Sequence, residues 1–427
     1  MRPHFCLCGE FSYLAADVSG IDGECVLSGE KISKSAPKVL FVTFEYREVV
    51  VGGIGRVVNG LVDELPGKLS FNVFVFRQRN SASEVSAALF DENGTEIERY
   101  RRETSEIIGE IVEENGYNVV HFLNPGYVAL RMIDNLSARK AKAKLVCSCH
   151  SLARAAQEIR NLERAEVELE SDVLEKIDHI HILNKASMRC LKEKYPEIVQ
   201  SKPVTIIPNG IDVEACSDDP IKLEARKSEL RTSLRLPGNL VVLCMSRWSH
   251  GKGLEFLLDA VPHVVAKQPN VRFFVAGRKT VSWEHDVLSY VEKIDALAGA
   301  LSPWVIPIGW INDFERNALM GIADIYVMPS EMEFFPYSIL EPIAAKVPIV
   351  SSRLPCVEEI LDDGRDCLMY STRDAKQLAD RILTLAENES LRNGMADHAY
   401  VKTRTQLSWP KVAQMYIDFY EDICAVA

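Results

Sequence analysis

The chain has 427 residues, of which 47% are hydrophobic and 26% are charged, so it is long and apolar enough for two folded domains. Its formal net charge of −12 at pH 7 argues against a nucleic-acid-binding protein, because such proteins present basic surfaces. No segment approaches the roughly 20 consecutive apolar residues that a membrane-spanning helix needs, and residues 1–37 lack the apolar run of a signal peptide.

The cysteines favour a cytoplasmic location. The chain contains 11 of them, an odd number, and the close pairs Cys6/Cys8 and Cys147/Cys149 lack the C-x-x-C spacing of a structural zinc site. Cys147 and Cys149 lie in an apolar run and would face the same side of a strand, so we expect buried thiols. Free thiols are typical of the reducing cytosol.

Short apolar runs rich in β-branched residues alternate with amphipathic helical segments along the chain. In the first half, the strand-like runs are Lys38–Tyr46, Phe71–Phe76, Asn118–Leu123, Ala143–Cys149, His179–Leu183 and Val204–Ile207. In the second half, they are Leu240–Met245, Val271–Ala276, Trp304–Ile308, Ala323–Met328 and Val347–Ser351. Several runs are apolar on both faces, as in parallel strands covered by helices on each side. The alternation predicts two doubly wound α/β domains with a ligand-binding cleft at the carboxyl ends of the strands.

The boundary between these domains is expected near the turn sequence Pro208-Asn209-Gly210-Ile211-Asp212. This places an N-terminal domain at residues 38–207 and a C-terminal domain at residues 208–407. The polar stretch Glu214–Gly238 is interpreted as a connector followed by a surface helix. Residues 1–37 precede the first clear strand, and their pattern indicates no role.

A glycine-rich turn, Val51-Gly52-Gly53-Ile54-Gly55-Arg56, follows the first predicted strand and opens a helix that runs to about Leu65. Adjacent glycines let backbone N–H groups approach an anion, and the helix dipole favours negative charge there. A tight strand-to-helix turn that glycine merely permits explains the residues equally well. The motif is neither G-x-G-x-x-G nor a P-loop, which disfavours dehydrogenases and P-loop nucleotidases.

Two cations bracket a second turn, Ser246-Arg247-Trp248-Ser249-His250-Gly251-Lys252-Gly253, which precedes a helix predicted over Leu254–Val265. Arg247 offers a bidentate fork and Lys252 a point charge, a combination that suits a diphosphate. An exposed basic loop is the alternative interpretation. The position of the turn at the carboxyl end of a strand favours ligand binding.

The third motif is Glu331-Met332-Glu333-Phe334-Phe335-Pro336-Tyr337-Ser338-Ile339-Leu340-Glu341, after the strand Ala323–Met328. Glu333 could accept hydrogen bonds from sugar hydroxyls, and Glu341, one turn into the following helix, could bind a ribose diol. The helix start, with Phe335, Tyr337 and Ser338, could receive phosphate or sugar oxygens on free N–H groups. The alternative is a surface glutamate and a helical glutamate that never meet.

The histidines leave two interpretations open. His150, in Cys149-His150-Ser151 after a predicted strand, is as readily a core histidine as a functional one. For His121 the structural interpretation is favoured over a functional one. For His179 and His181, on an alternating strand, it is favoured over metal binding.

Taken together, the motifs resemble a retaining glycosyltransferase of the GT-B type, in family 4 (glycosyl transferases group 1). The resemblance spans roughly Lys38 to the C-terminus. It is carried by Gly52-Gly53, His150, Pro208-Asn209-Gly210-Ile211-Asp212, Arg247 with Lys252, Glu333 with Glu341, and Ser408-Trp409. The resemblance implies two Rossmann-like domains that face a deep cleft, and a C-terminal helix, about residues 408–427, that crosses back to the first domain.

The resemblance also implies roles for these residues. Arg247 and Lys252 would neutralise the departing diphosphate, and Glu333 would hold the hydroxyls of the donor sugar. The remaining site residues are Glu341 on the ribose, and Gly52, Gly53 and His150 facing the sugar and the acceptor. The implied reaction transfers a hexose-type sugar, with retention, from a nucleotide sugar such as a UDP-sugar to a small-molecule or glycan hydroxyl. The acceptor would sit mainly on the first domain, whose loops around Asn80–Thr95 and Ser151–Arg160 carry no diagnostic motif.

No D-x-D sequence occurs in the chain. Metal-dependent sugar transferases commonly hold a divalent ion with such paired carboxylates. We therefore expect a metal-free site and no cofactor.

Some residues depart from the family pattern. Phe334 stands where the family often has glycine, and the small or glycine-rich stretches usual near Lys346 and Leu354-Pro355 are absent. These departures leave the donor sugar open. A nucleotide-sugar epimerase of the same fold and a non-catalytic nucleotide-sugar or glycan-binding protein are the alternatives. The presence of both cations and both glutamates argues against a decayed, non-catalytic site.

Overall fold

The computed structural model describes residues 36–47, 53–78, 85–160, 162–212, 220–234, 236, 238–279 and 287–425. The segment 1–35 and the predicted site residue Gly52 lie outside the described residues. Ala36–Ala427 cluster into one unit, and this unit contains two β-sheets.

The first sheet is built from eight strands. They are β1 (Lys38–Thr43), β2 (Ser70–Gln78), β3 (Val85–Phe90), β4 (Glu96–Tyr100), β5 (Val119–Phe122), β6 (Lys144–Cys149), β7 (His179–Ile182) and β8 (Val204–Ile206). Their order in the sheet is β4-β3-β2-β1-β5-β6-β7-β8. All neighbours pair in parallel except at one edge, where β3 and β4 form an antiparallel extension.

Helices cover both faces of this sheet. They are α1 (Gly53–Glu64), α2 (Thr104–Asn115), α3 (Tyr127–Ala138), α4 (Ala153–Arg160), α5 (Arg164–Lys176), α6 (Lys185–Lys194) and α7 (Pro196–Ser201). Side chains of β1 alternate between two cores: Leu40 and Val42 pack with α2 and α3, whereas Val39 and Phe41 pack with α1. Successive side chains of a strand point to opposite faces, so a strand buried on both sides must be apolar throughout.

The second sheet contains six parallel strands. The elements of this half are α8 (Pro220–Ser233), β9 (Leu240–Met245), α9 (Leu254–Val265), β10 (Val271–Ala276), α10 (Val287–Ala300), β11 (Val305–Gly309), α11 (Asp313–Ile322), β12 (Ile325–Met328), α12 (Tyr337–Ala344), β13 (Ile349–Ser352), α13 (Pro355–Glu358), β14 (Leu368–Tyr370), α14 (Ala375–Glu387), α15 (Glu389–Leu407) and α16 (Trp409–Ala425). The strand order is β11-β10-β9-β12-β13-β14. Two parallel, helix-covered sheets of this kind confirm the predicted pair of Rossmann-like domains.

The C-terminal helix α16 returns to the first sheet, as predicted. Its residues Tyr416 and Tyr420 are fully buried in the core that also contains Phe41. Trp409, at the start of α16, lies where two glycines leave room for its indole. A Cβ atom on Gly60 would lie 2.1 Å from the ring, and one on Gly210 would lie 2.3 Å from it.

The structure corrects two expectations about loops. Part of the segment Asn80–Thr95 forms strand β3, and most of Ser151–Arg160 forms helix α4. Strand β14 was not predicted. The buried thiols of Cys147 and Cys149 are confirmed.

Among the helices of the described residues, none combines the length and apolarity needed to cross a bilayer. The domain boundary at residues 207 and 208 stays a prediction.

Candidate active site

Two neighbouring strands at the centre of the second sheet, β9 and β12, provide the site. The chain runs from β9 to β10 and β11 on one side and then returns to β12 on the other side. A crevice for ligands forms at such a reversal, beyond the carboxyl ends of the strands. The loop after β9 carries Arg247 and Lys252, and the loop after β12 carries Glu333. The topology therefore brings two of the predicted motifs together.

A cavity of ≈ 320 Å³ lies against these loops, and residues from both halves of the chain line it. The lining residues are Gly53, Ile54, His150, Ser151, Arg160, Leu183, Asn209, Met245, Ser246, Arg247, Lys252, Glu333, Phe334, Phe335, Pro336, Tyr337 and Ser338. Every predicted site residue that the structure describes is in this set except Glu341. Two lining residues were not predicted to belong to the site: Arg160, and Asn209, which the sequence indicates only as part of a turn.

The centre of the cavity is an ion pair. Lys252 Nζ lies 2.6 Å from Glu333 Oε1, and the two side chains are only 13% and 10% exposed. The hydroxyl of Ser330 donates a hydrogen bond to the same carboxylate oxygen at 2.8 Å. These two contacts fix the Glu333 carboxylate between a cation and a hydroxyl group.

The pKa values of this pair reflect burial and the positive charges nearby. Burial lowers the pKa of Lys252; Glu333 opposes this effect, and Arg160 and Arg247 add to it. Burial alone would raise the pKa of Glu333, but Lys252, then Arg160, and the hydrogen bonds outweigh it, so this pKa lies below its ordinary value. A carboxylate that stays ionised in a buried cavity is a strong acceptor for hydroxyl groups.

Two glycines in the left-handed backbone region flank Lys252 and shape its loop. The φ angle is +77° at Gly251 and +65° at Gly253. A Cβ atom on Gly253 would lie 2.0 Å from the carbonyl oxygen of Pro329, at the end of β12. The backbone N–H of Glu331 donates to the carbonyl of Gly251 at 2.9 Å. The loops after β9 and β12 are thus packed backbone to backbone, which brings Lys252 beside Glu333.

His150 contributes an unused polar atom to the cavity. Its Nε2 atom is buried and has no hydrogen-bond partner within the part of the chain that the structure describes. Burial lowers the pKa of His150 to about 3, with a further contribution from His181. Asn209 Oδ1, which also belongs to the cavity lining, is likewise buried without a partner among the described residues. Unpaired buried polar atoms are costly, so both atoms are suited to receive a ligand.

The other two buried histidines belong to a closed hydrogen-bonded chain. Its contacts are Tyr420 OH to His121 Nδ1 at 2.6 Å, His121 Nε2 to Ser148 Oγ at 2.7 Å, Ser148 Oγ to His181 Nδ1 at 2.6 Å, and His181 Nε2 to the carbonyl of Ile207 at 2.9 Å. A carbonyl only accepts, so His181 Nε2 carries the hydrogen. Every donor then has one acceptor when both imidazoles are neutral. This arrangement agrees with the structural interpretation of His121 and His181.

The glycine-rich turn and the start of α12 meet across the cavity. A Cβ atom on Gly53 would lie 3.3 Å from the ring of Tyr337, and the Tyr337 hydroxyl donates to the carbonyl of Gly210 at 3.3 Å. The backbone N–H of Gly55 donates to the carboxylate of Glu45 at 2.9 Å. That N–H is therefore occupied, which weakens the prediction that the start of α1 binds an anion through it.

The two remaining predicted residues of this loop have internal contacts. Phe335 is 8% exposed and packs in the core of the second sheet. The Ser338 hydroxyl lies 3.3 Å from the sulfur of Met328. Both residues shape the wall of the cavity that they line.

Glu341 lies in a second cavity of ≈ 620 Å³, next to the first. Its carboxylate pairs with Arg56, from the first half of the chain, and lies 3.7 Å from Arg316 Nη1. Burial lowers the pKa of Arg56 to about 10, with a further contribution from Arg316. Tyr337 lines both cavities. Glu341 therefore lines only the second cavity, and the side chain of Tyr337 lies between it and the first cavity. Among the described residues, no group of three or more His, Cys, Asp or Glu side chains is placed to hold a metal ion.

Two family models match the chain. The model described as "Glycosyltransferase Family 4" matches residues 51–215, and the model described as "Glycosyl transferases group 1" matches residues 239–388. The matched segments contain the site residues on both sides of the cavity.

Curated proteins match over part of their length. The phosphatidyl-myo-inositol mannosyltransferase of Mycolicibacterium smegmatis is 27% identical over 247 residues, which cover 57% of this chain and 58% of that protein. The spore coat protein SA of Bacillus subtilis is 25% identical over 197 residues, 46% of this chain and 52% of that protein. The chain thus spans between half and three fifths of the length of these relatives.

Solved structures match over nearly the whole chain. A sucrose-phosphate synthase from Thermosynechococcus elongatus superposes with a TM-score of 0.70 at 16% identity and covers 91% of this chain and 100% of that one. The Anabaena protein HepE, solved in complex with UDP and glucose, gives a TM-score of 0.68 at 15% identity and covers 90% and 99%. At these identities the likeness shows a shared fold.

Proposed function

The chain belongs to the family 4 (group 1) glycosyltransferases, and we propose that it transfers a sugar from a nucleotide-sugar donor to a hydroxyl group with retention at the anomeric carbon. One observation carries this proposal. The cavity at the reversal of the second sheet combines two donor-side cations, a buried ionised carboxylate and an unpartnered imidazole nitrogen.

Arg247 and Lys252 are suited to the diphosphate of the donor. The bond between the anomeric carbon and the phosphate oxygen breaks during transfer, and negative charge builds up on that oxygen. Cations held in place before the reaction stabilise such charge more effectively than water does. The backbone-to-backbone packing of the two loops holds Lys252 in this way.

Glu333 and His150 are suited to the transferred sugar. The ionised carboxylate of Glu333 would accept hydrogen bonds from two neighbouring hydroxyls, and the neutral imidazole of His150 would bind a third through Nε2. Glu333 is the one carboxylate among the described residues that line the cavity, and it is paired with Lys252. This favours a front-face displacement, in which the acceptor attacks beside the departing phosphate, over a covalent intermediate on an enzymic carboxylate.

The nucleoside would extend past Tyr337 into the second cavity. Glu341 would then accept hydrogen bonds from the ribose hydroxyls and exchange its contact with Arg56 for them. The sharing of Tyr337 between the cavities supports this path. A UDP-sugar is the favoured donor, since the similarly folded HepE was solved with UDP and glucose. The acceptor is proposed to be a small molecule or a glycan, and the reaction to be metal-free and cytoplasmic.

A donor screen tests the proposal. The full-length chain is incubated with UDP-, GDP- and ADP-sugars in EDTA, with candidate acceptors, and the released nucleotide is measured. Release that depends on an acceptor and is lost in Lys252→Gln supports sugar transfer. Epimerised donor without any acceptor would instead support the epimerase alternative, and binding without turnover would support a non-catalytic protein.

A further inference from the structure

Phe334 anchors the Glu333 loop in the other half of the molecule. Although it follows β12 of the second sheet, Phe334 is 5% exposed and packs in the core formed by the first sheet with α2, α3 and α5. Its carbonyl accepts a hydrogen bond from Asn184 Nδ2 at 2.5 Å. A glycine here could make no such insertion, so the phenylalanine ties the site loop to the first half.

The ring of Phe334 also supports a cation at the cavity. Arg160 Cζ lies 6.0 Å from the centroid of this ring, within the range of a cation–π contact. Arg160 ends α4, and this end packs on the loop after β9: a Cβ atom on Gly251 would lie 2.9 Å from Ile159 and 3.6 Å from Arg160. Arg160 therefore reaches the donor-side loop from the first half of the chain.

The other end of α4 is fixed by a buried carboxylate. Glu170, which is 4% exposed, accepts a hydrogen bond from the backbone N–H of Ala153 at 2.5 Å and another from the hydroxyl of Tyr195. A negative group at the start of a helix also interacts favourably with the helix dipole. With both ends held, α4 presents Arg160 at a defined place.

The charge of Arg160 acts on the Lys252–Glu333 pair. It lowers the pKa of both groups, and its effect on Lys252 exceeds that of Arg247. The charged side chains that line the cavity, among the described residues, are three cations (Arg160, Arg247 and Lys252) and one carboxylate, Glu333. The cavity is thus built for a ligand with more than one negative charge.

We propose that Arg160 binds the diphosphate of the donor together with Arg247 and Lys252, and that it stabilises the charge on the departing oxygen. The inference rests on the proposed sugar transfer and adds a catalytic residue to it. When the anomeric C–O bond breaks, its electron pair stays on the phosphate oxygen. That oxygen takes the proton of the acceptor hydroxyl while the acceptor oxygen forms the new bond. Because Arg160 comes from the first half, the diphosphate site is complete only when both halves contribute.

The test compares Arg160→Gln and Arg160→Lys with wild type and with Arg154→Gln. Arg154 lies on the same helix and stacks on Tyr195 at 4.3 Å, but it does not line the cavity, so it serves as the matched control. Binding of UDP and of uridine is measured by calorimetry, and kcat with the best donor found for wild type. We expect Arg160→Gln to weaken UDP about tenfold, to leave uridine unchanged, and to lower kcat about 100-fold. Arg160→Lys should recover part of the loss, and Arg154→Gln should match wild type.

Three results would overturn the inference in distinguishable ways. If Arg160→Gln raises the KM of the acceptor and leaves UDP binding intact, Arg160 contacts the acceptor and not the diphosphate. If Arg160→Gln behaves like wild type while wild type binds UDP and turns over, only the role of Arg160 is lost. If wild type binds none of UDP, GDP or ADP, the proposed function itself fails.

A second variant examines the support from the ring. Phe334→Leu keeps an apolar side chain in the first core but removes the aromatic face beneath Arg160. It should show part of the loss in UDP affinity and kcat seen for Arg160→Gln. Wild-type values in a folded Phe334→Leu protein would contradict the role of the ring.

Discussion

The ammonium group of Lys252 and the carboxylate of Glu333 lie 2.6 Å apart, although 81 positions separate them in the chain. Each group favours the charged form of the other: Glu333 raises the pKa of Lys252, and Lys252 lowers the pKa of Glu333. In the proposed reaction the two residues would bind different parts of the donor: Lys252 the diphosphate and Glu333 the sugar. The ion pair would therefore lie between the diphosphate and the sugar, the two parts of the donor whose connecting bond breaks in the reaction.

Replacing Glu333 with Gln should affect both catalysis and its pH dependence. The amide is nearly isosteric but uncharged, so hydrogen bonds to the sugar weaken and kcat should fall about 10- to 100-fold. Glu333 raises the pKa of Lys252, so its loss should lower that pKa further. Activity on the alkaline side should then be lost at a lower pH than in wild type. A profile of kcat against pH measures both effects.

Glu331→Gln is the matched control for this prediction. Glu331 lies on the same loop and pairs with Arg373, and it does not line the cavity. Its activity and pH profile should equal those of wild type. Intact donor binding and turnover in Glu333→Gln would contradict the proposed role of Glu333 in binding the sugar.

Variants of Glu341 and Lys252 should distinguish binding of the nucleoside from binding of the diphosphate. Glu341 lies in the second cavity, beyond Tyr337, so Glu341→Gln should weaken UDP and uridine alike, by about tenfold. Lys252→Gln should weaken UDP and leave uridine unchanged. Calorimetry with both ligands distinguishes the variants. If Glu341→Gln binds uridine as wild type does, the carboxylate serves only its ion pair with Arg56.

The reaction should proceed at full rate in EDTA. The sequence lacks D-x-D, and the proposed site neutralises the diphosphate with Arg247 and Lys252. Released nucleotide is measured in EDTA and again with excess Mg²⁺ or Mn²⁺. Equal rates are expected, and a strict requirement for added metal would overturn the metal-free proposal.

Much of the fold follows from the sequence because the central strands are buried on both faces. Leu240–Met245 and Val271–Ala276 form β9 and β10 with the predicted bounds. The edge strand β4 (Glu96–Tyr100) escaped prediction because its side chains are mostly exposed and charged, which leaves no apolar pattern. Pairing with β3 creates that strand, and pairing with a neighbouring strand leaves no sign in the apolar pattern of the segment itself.

The site was predictable where residues follow the ends of strands. Arg247, Lys252 and Glu333 have such positions, and the order of the strands places them together. Arg160 has no such signal, because an arginine at the end of an amphipathic helix resembles any solvated charge. Its place depends on contacts with Gly251 and Phe334, which are distant in sequence. The one available sign was Phe334 itself, where the family often has glycine.

The buried histidines should make the fold sensitive to mild acid. The ordinary pKa of 6.5 is lowered by burial to about 4 for His181 and to about 3 for His150, and it is lowered well below its ordinary value for His121. The unfolded chain thus binds protons below about pH 6.5 that the folded chain does not. The free energy of unfolding should fall with pH by up to about 1.4 kcal/mol per unit for each group.

Thermal unfolding between about pH 7 and pH 5 measures this loss, and the imidazole resonances of folded protein report protonation directly. Ser148→Ala offers a second check, since it leaves a hydrogen-bonding atom of His121 and one of His181 without a partner. It should lower stability by about 1–3 kcal/mol even at neutral pH. Resonances of all three histidines that titrate near pH 6.5 would contradict the assignment of neutral, buried rings.

Gly60→Ala should destabilise the attachment of the C-terminal helix to the first sheet. The new Cβ atom would lie 2.1 Å from the indole of Trp409, which is 7% exposed and fills the space between α1 and the turn at Gly210. The bulky ring must shift, and overpacking of this kind costs about 1–3 kcal/mol.

Gly394→Ala is the control, because Gly394 is also helical but a Cβ atom there would meet nothing within 4 Å. Alanine favours helix over glycine by up to about 1 kcal/mol, so the control should raise the melting temperature while Gly60→Ala lowers it. Equal shifts in the two variants would show that the indole gives way without cost and that Trp409 does not fix α16 in place.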